Sequence, residues 1–202
     1  MNYAKFAFTD AIKALQEGQG SRKAYEKIEK FNVVDGLSDN EIAFIQERDS
    51  FYMATYGENG YPYIQHRGGP KGFVKVIDNK TIGFVDFAGN RQFITQGNLA
   101  ENPKAYLFLI DYAHRRRIKL WGEARVVEGD AELTAKLMPE NYKARAEQVI
   151  LFTVGAWDMN CPQHIPQRFE AADVAAAFAE RDSKIAELEA ELARLRLVAG
   201  AA

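Results

Sequence analysis

The chain is short of cysteine, of net charge and of long apolar runs, and each shortage excludes something. Its one thiol, Cys161, leaves no partner for an intrachain disulfide, which suits a reducing compartment; the cytoplasm is the expected location. Lysine and arginine total 26 against 28 aspartate and glutamate, a formal net charge of −2, so bulk electrostatics supports neither nucleic acid nor an anionic membrane as partner. Lys5, Asp10 and Lys13 interrupt the N-terminal stretch, so no signal peptide is expected, and no run of apolar residues is long enough for a bilayer. With 47% hydrophobic and 27% charged residues over 202 positions, the chain has the composition and length of one globular domain, with or without an appended arm.

What is present centres on Gln65 to Gln92: QHRGGPKGFVKV, a turn at Asp78-Asn79, then TIGFVDFAGNRQ. Arg67 stands before Gly68 and Gly69 at the end of one predicted strand. Gly89, Asn90, Arg91 and Gln92 stand at the end of another, just ahead of a helix-like segment. Guanidinium forks and the free N–H groups of a helix start are the groups that hold a phosphate dianion. Gly68, Gly69 and Gly72 would let backbone approach such a ligand closely. The alternative is a glycine-rich hairpin loop with solvated arginines, because short motifs often arise by coincidence.

Along the chain, residues 9–17 are expected to form a short helix with Ile12 and Leu15 inward, and a second helix carries Tyr25, Ile28 and Phe31. Ser38-Asp39-Asn40-Glu41 has the form of a capping box ahead of Ile42 and Ile45. These helices carry no catalytic signal and are expected to pack outside a sheet. From Phe51 the apolar period becomes two. FYMATY and YPYIQHR flank an Asn-Gly turn, FVKVI and TIGFVDF follow, and a short helix runs from about Phe93 to Leu99. KAYLFLID, apolar on both faces, pairs with Arg116 to Val127; residues 130–147 read as helix, and VILFTVGAW is the last strand. The prediction is a mainly β fold (β+α): a six- to seven-stranded antiparallel split β-barrel with flanking helices and a C-terminal amphipathic helix. Its expected divisions are a helical segment over 1–48, the barrel over 49–168 and the helix over 169–202.

The order of these motifs resembles the pyridoxamine 5'-phosphate oxidase-like superfamily, the FMN-binding split barrels. The likeness runs from about residue 41 to 128, a little under half the chain, and rests on SFYMATYGENGYPYIQHR, RGGPKGFV, FVDFAGNRQ with LAENPKAYLFLI, and RRRIKLWGEARVVE. WDMNCPQHIP resembles the closing segment of an oxidase-related subgroup. The resemblance implies FMN as cofactor, with Arg67 opening the phosphate-contacting strand and Arg91 with Asn90 as the second phosphate contact. The family's Gly-Ser-Arg-Lys appears here as Gly89-Asn90-Arg91-Gln92, so the arginine is kept and the lysine is not. Arg117 takes the place of a glutamine near the flavin in the oxidases, and strand periodicity puts Arg117, Lys119 and Trp121 on one face. A cation there, Lys75, Lys119 or Arg117, would raise the flavin's potential by stabilising its anionic reduced form. The expected cofactor-binding set is therefore His66, Arg67, Gly68, Gly69, Phe73, Val74, Asn90, Arg91, Gln92, Arg117 and Lys119. The resemblance also implies a homodimer with flavin at the subunit interface.

The true oxidase ends in an Arg-x-His pair that grips its substrate; the residues after Trp157 lack it, so pyridoxamine phosphate oxidation is not expected. Cys161 and His164 are candidates for thiol or acid–base work, against a plain reading as a small core residue and a loop histidine. As a metal half-site they would need further ligands where only His66 and His114 remain among the histidines, so no metal is expected. His66, next to Arg67, is the better acid–base candidate. Arg115-Arg116-Arg117 reads otherwise as a solvated charge run.

From Glu170 onward, Val174, Phe178, Arg181, Ile185, Leu188, Leu192 and Leu195 follow alternating steps of four and three, a heptad seam with one arginine in it. The seam is expected to dock on a partner subunit, the alternative being a helix lying on its own barrel. Two function classes stand open. One is an FMN-dependent oxidoreductase acting on a small donor. The other is a non-catalytic flavin, haem or deazaflavin binding or sensing protein.

Overall fold

The computed structural model describes residues 1–159 and 162–200. Four helices lead: α1 (Ala4–Ala7), α2 (Asp10–Gly18), α3 (Arg22–Phe31) and α4 (Asp39–Gln46). The capping box forms at α4, where the Ser38 N–H donates to the Glu41 carboxylate at 3.0 Å, and Phe44 and Ile45 enter the core. In α2 the expected burial is reversed. Leu15 is 67% exposed and Ile12 also faces solvent, while Gln16 is buried. The reason lies in the neighbouring helix: Arg22 of α3 donates to Gln16 at 2.9 Å and pairs with Glu29, which Lys13 also approaches at 3.4 Å. A polar network therefore holds this helix pair and turns the apolar positions outward.

Seven strands follow, all antiparallel: β1 (Ser50–Tyr56), β2 (Pro62–Gly68), β3 (Lys75–Asp78), β4 (Thr81–Phe87), β5 (Lys104–Asp111), β6 (Arg116–Val127) and β7 (Ala146–Met159), with α5 (Ile94–Glu101) between β4 and β5 and α6 (Ala131–Leu137) between β6 and β7. They make one sheet in the order β2-β1-β5-β6-β7-β4-β3. The pleat sends Phe51 and Met53 of β1, Leu107 and Leu109 of β5, Ile118 and Leu120 of β6, and Phe84 of β4 into a common core. Tyr106, Phe108 and Ile110 of β5 lie half-buried on the opposite face. The helix expected over 130–147 is shorter. It ends at Leu137 because Pro139 cannot continue it and forces Met138 into extended backbone, at φ −62° and ψ 130°. The last strand accordingly begins earlier than expected, at Ala146. The β6–β7 ladder slips by a residue between Trp121 and Gly122, where a Cβ on Gly122 would sit 2.0 Å from the Thr153 carbonyl oxygen.

The sheet curls until its two ends meet without hydrogen bonding along a ladder. Arg67 on β2, at one edge, pairs with Asp86 on β4, next to the other edge. Phe51 of β1 stacks on Phe73 and meets Phe84 of β4 edge-on, so the core closes where the ladder does not. Beside this seam α5 is tied to the first hairpin: Thr95 Oγ1 donates to Gln65 Oε1 at 2.7 Å, and Asn98 Nδ2 to Thr55 Oγ1 at 3.0 Å. This is the split barrel, in the mainly β form expected.

Among the described residues, those of 1–111 and 116–162 form one compact unit, and those of 112–115 with 163–200 form another. In the second, the Arg168 guanidinium lies over the Tyr112 ring at 4.7 Å, Gln167 Nε2 donates to the Ala113 carbonyl at 2.8 Å, and α7 runs over Ala171–Gly200. Among the described residues no helix is long and apolar enough to cross a membrane.

Candidate functional site

Asp86 is the one charge in an otherwise apolar strand, 3% exposed, and three donors converge on it: Arg67 Nη1, Gln96 Nε2 at 2.7 Å and Gln148 Nε2 at 2.9 Å. A buried carboxylate needs such partners to remain in an apolar wall. The same arginine is only partly used. Its Nε and Nη2 are buried and have no hydrogen-bond partner. A buried donor left unmade costs about 1–3 kcal/mol, so Arg67 carries two donors that the described residues leave unsatisfied.

The loop after β4 brings the second group. Arg91 (φ 57°) and Phe93 (φ 55°) both hold left-handed backbone, and Asn90 Oδ1 accepts the Gln92 N–H at 3.3 Å. α5 then starts with no side-chain cap, and the first N–H reaching a helical carbonyl is that of Gly97, to Phe93 at 2.9 Å. The N–H groups before it have no partner inside the helix. Arg67, Gln65, Asn90, Arg91, Gln92 and the first residues of α5 border one cleft of about 230 Å³. Its formal side-chain charges cancel, since Asp86 answers Arg67 and Glu147 lies 3.8 Å from Arg91 and 3.2 Å from Arg145. Directed donors and a helix terminus, more than net charge, are what this cleft could offer an anion.

The other expected site residues fall elsewhere. His66 shares the outward face of β2 with Ile64, opposite Arg67, and meets Tyr52 edge-on at 5.6 Å. Phe73 and Val74 are core residues with 1% exposure, and Phe73 also borders, with His66, Arg67, Gly68 and Asp86, a smaller cleft of about 160 Å³. The glycines before them serve that core: a Cβ on Gly69 would lie 2.7 Å from the Phe73 ring, and one on Gly68 3.1 Å from His66. Arg117 and Lys119 lie with Trp121 on the face of β6 turned from the core, away from the lining of the polar cleft. Lys119 pairs with Asp158 at 2.9 Å; Arg117 Nε is buried without a partner. His164 is exposed, in left-handed backbone at φ 62°, and Cys161 lies outside the described residues. Sequence reasoning missed Asp86, Gln96, Gln148 and Glu147; the readable signal was an acid inside the apolar run TIGFVDF.

A larger cleft of about 650 Å³ opens on the outer face of β1, β5 and β6, walled by Phe6, Tyr56, Tyr106 and Trp121 and sharing no residue with the polar one. Burial, reinforced by the charge of Asp158 and opposed by that of Arg117, pushes the Tyr106 phenol up to about 12. Burial and Asp158 also raise Tyr3, which stacks on Trp121 at 6.0 Å.

Residues 37–164, which span the barrel and the residues lining its polar cleft, match the family model described as pyridoxamine 5'-phosphate oxidase. The chain belongs to that family. No curated protein matches it. Among solved structures, HupZ of Group A Streptococcus is similar at 16% identity, with a TM-score of 0.51 over 66% of this chain and 100% of that one. An FMN-binding protein from Syntrophomonas wolfei gives 14% identity and a TM-score of 0.45 over 71% and 96%. The heme storage protein HutZ from Vibrio cholerae gives 17% and 0.45 over 61% and 94%. At these identities the HupZ likeness shows the fold alone.

Proposed function

We propose that this member of the family binds FMN, seating the phosphate in the cleft between Arg67 and Arg91, and works as a flavin-dependent oxidoreductase on a small donor in the cytoplasm. The observation that carries the reading is the pair of buried, partnerless N–H donors on Arg67. A phosphate oxygen satisfies both at once, as a guanidinium fork does for a planar pair of acceptors. Asp86 holds the arginine in place from its other side, the exposed Arg91 borders the cleft, and the uncapped start of α5 adds backbone donors. When bound, the flavin supplies hydride acceptance. The outer face with Tyr52, Tyr106, Phe108 and Trp121 suits a second copy of the chain, in a homodimer where the flavin lies at the interface and the unpaired Arg117 Nε finds an acceptor.

The test is a visible spectrum of the purified protein, then titration of the apoprotein with FMN and with riboflavin. Flavin bands and at least a hundred-fold preference for FMN are expected. Equal affinity for riboflavin overturns the phosphate assignment, and a Soret band in place of flavin bands makes the protein a haem binder. Anaerobic NADH or NADPH should bleach the flavin; bands indifferent to these and other small donors leave a binding protein without catalysis.

A further inference from the structure

α7 is a thirty-residue helix whose described side chains are all exposed as far as Leu197, with Phe178, Ile185, Leu188, Leu192 and Leu195 each about half open to solvent. Its apolar positions recur every 3.5 residues on average. A straight helix repeats at 3.6, so a stripe of this period stays on one side only if the helix supercoils around another. In heptad terms, Phe178, Ile185 and Leu192 take position a, and Val174, Arg181, Leu188 and Leu195 take position d.

We infer that α7 pairs with α7 of a second copy of this chain as a parallel, in-register, two-stranded coiled coil. The flanking charges argue for this occupant. In a parallel pair each g residue faces the e residue five places on in the partner. Lys184 then meets the partner's Glu189 and Glu191 the partner's Arg196, opposite in sign both times and repeated by the twofold axis. Neither pair can form within one helix, where residues five apart do not meet. In the single chain Lys184 turns instead to Glu187 at 2.7 Å and Arg194 to Glu191 at 2.5 Å, exposed contacts that are readily exchanged. Ile185 at a beside Leu188 at d is the combination that favours two strands. Arg181 sets the register. It lies over the Phe178 ring at 4.7 Å with its charge met by Asp182 at 3.0 Å, so two copies tolerate each other in one layer, whereas any slipped register buries arginine against leucine.

The test uses the full chain carrying Cys161→Ser, with Leu188→Cys, Leu195→Cys or Ser183→Cys added singly and oxidised at micromolar concentration. Only a parallel pair brings two d positions a heptad apart each to its own copy. Positions 188 and 195 should both give a disulfide-linked dimer, and the outward position 183 should not. Linking at only one d position shows an antiparallel pair, linking at neither shows no pair, and equal linking at 183 shows random collision; each overturns the proposal. In the Leu188→Cys chain, Lys184→Glu should slow linking about ten-fold and adding Glu189→Lys should restore it. Absence of that rescue refutes the register.

Discussion

Replacing Arg67 by methionine separates a side chain that binds a ligand from one that pins the barrel. Methionine keeps the aliphatic stem and removes every N–H. Two charge-assisted bonds to the phosphate are lost, at about 1.5–3 kcal/mol each, so FMN should weaken by roughly 3–6 kcal/mol, a hundred-fold or more. The apoprotein follows a different sum. Breaking the buried pair with Asp86 costs about 3–5 kcal/mol, but the two partnerless donors, each a burden of about 1–3 kcal/mol, disappear with it. Asp86 also keeps the amides of Gln96 and Gln148. The apoprotein should therefore change by no more than about 3 kcal/mol in either direction. Calorimetric titration with FMN and riboflavin, beside urea unfolding of the apoprotein, measures both sums. The reasoning fails if FMN binds the variant as it binds the parent, or if the apoprotein loses more free energy than the complex does.

Glu147→Gln should tighten FMN several-fold, most at low salt, because it releases Arg91 from a competing carboxylate at 3.8 Å; unchanged affinity would remove Arg91 from the phosphate site. Gly69→Ala drives a methyl to within 2.7 Å of the packed Phe73 ring and should lower stability by about 1–3 kcal/mol in urea unfolding, with FMN affinity per folded molecule unchanged. Tyr106 is neutral in the folded state until its raised value of about 12, against 10.0 unfolded. Its contribution to stability is present below pH 10 and is lost as pH rises from there towards 12, so the parent should lose stability more steeply over that range than Tyr106→Phe; identical slopes would show the phenol to be unburied.

The strands were legible because alternation is a local property, and so was the meeting of Arg67 with Arg91, since each closes a strand beside the same helix start. Inward and outward were harder to read. Ile12 and Leu15 carry a helical apolar spacing, yet α2 packs through Gln16 and Lys13 because Arg22 and Glu29 of α3 are what it meets. Phe73 and Val74 sit in the motif expected to touch the cofactor, and no short pattern showed that both side chains also belong to the core. Gln148 reaches Asp86 from 62 residues away, across a ladder whose register no short motif encodes.

The seam has a mechanical consequence. β2 has a backbone ladder on one side only, to β1, and across the gap it is held by side chains: Arg67 on Asp86 and Gln65 with Thr95. A strand so held is the first to fray, in the sense of local unfolding that hydrogen exchange reads. A phosphate gripped by Arg67 on one lip and by Arg91 and α5 on the other would act as a clasp. If FMN seats there as proposed, its occupancy adds to the free energy of opening the barrel, and slowed exchange of the β2 amides on FMN addition reads how full the site is.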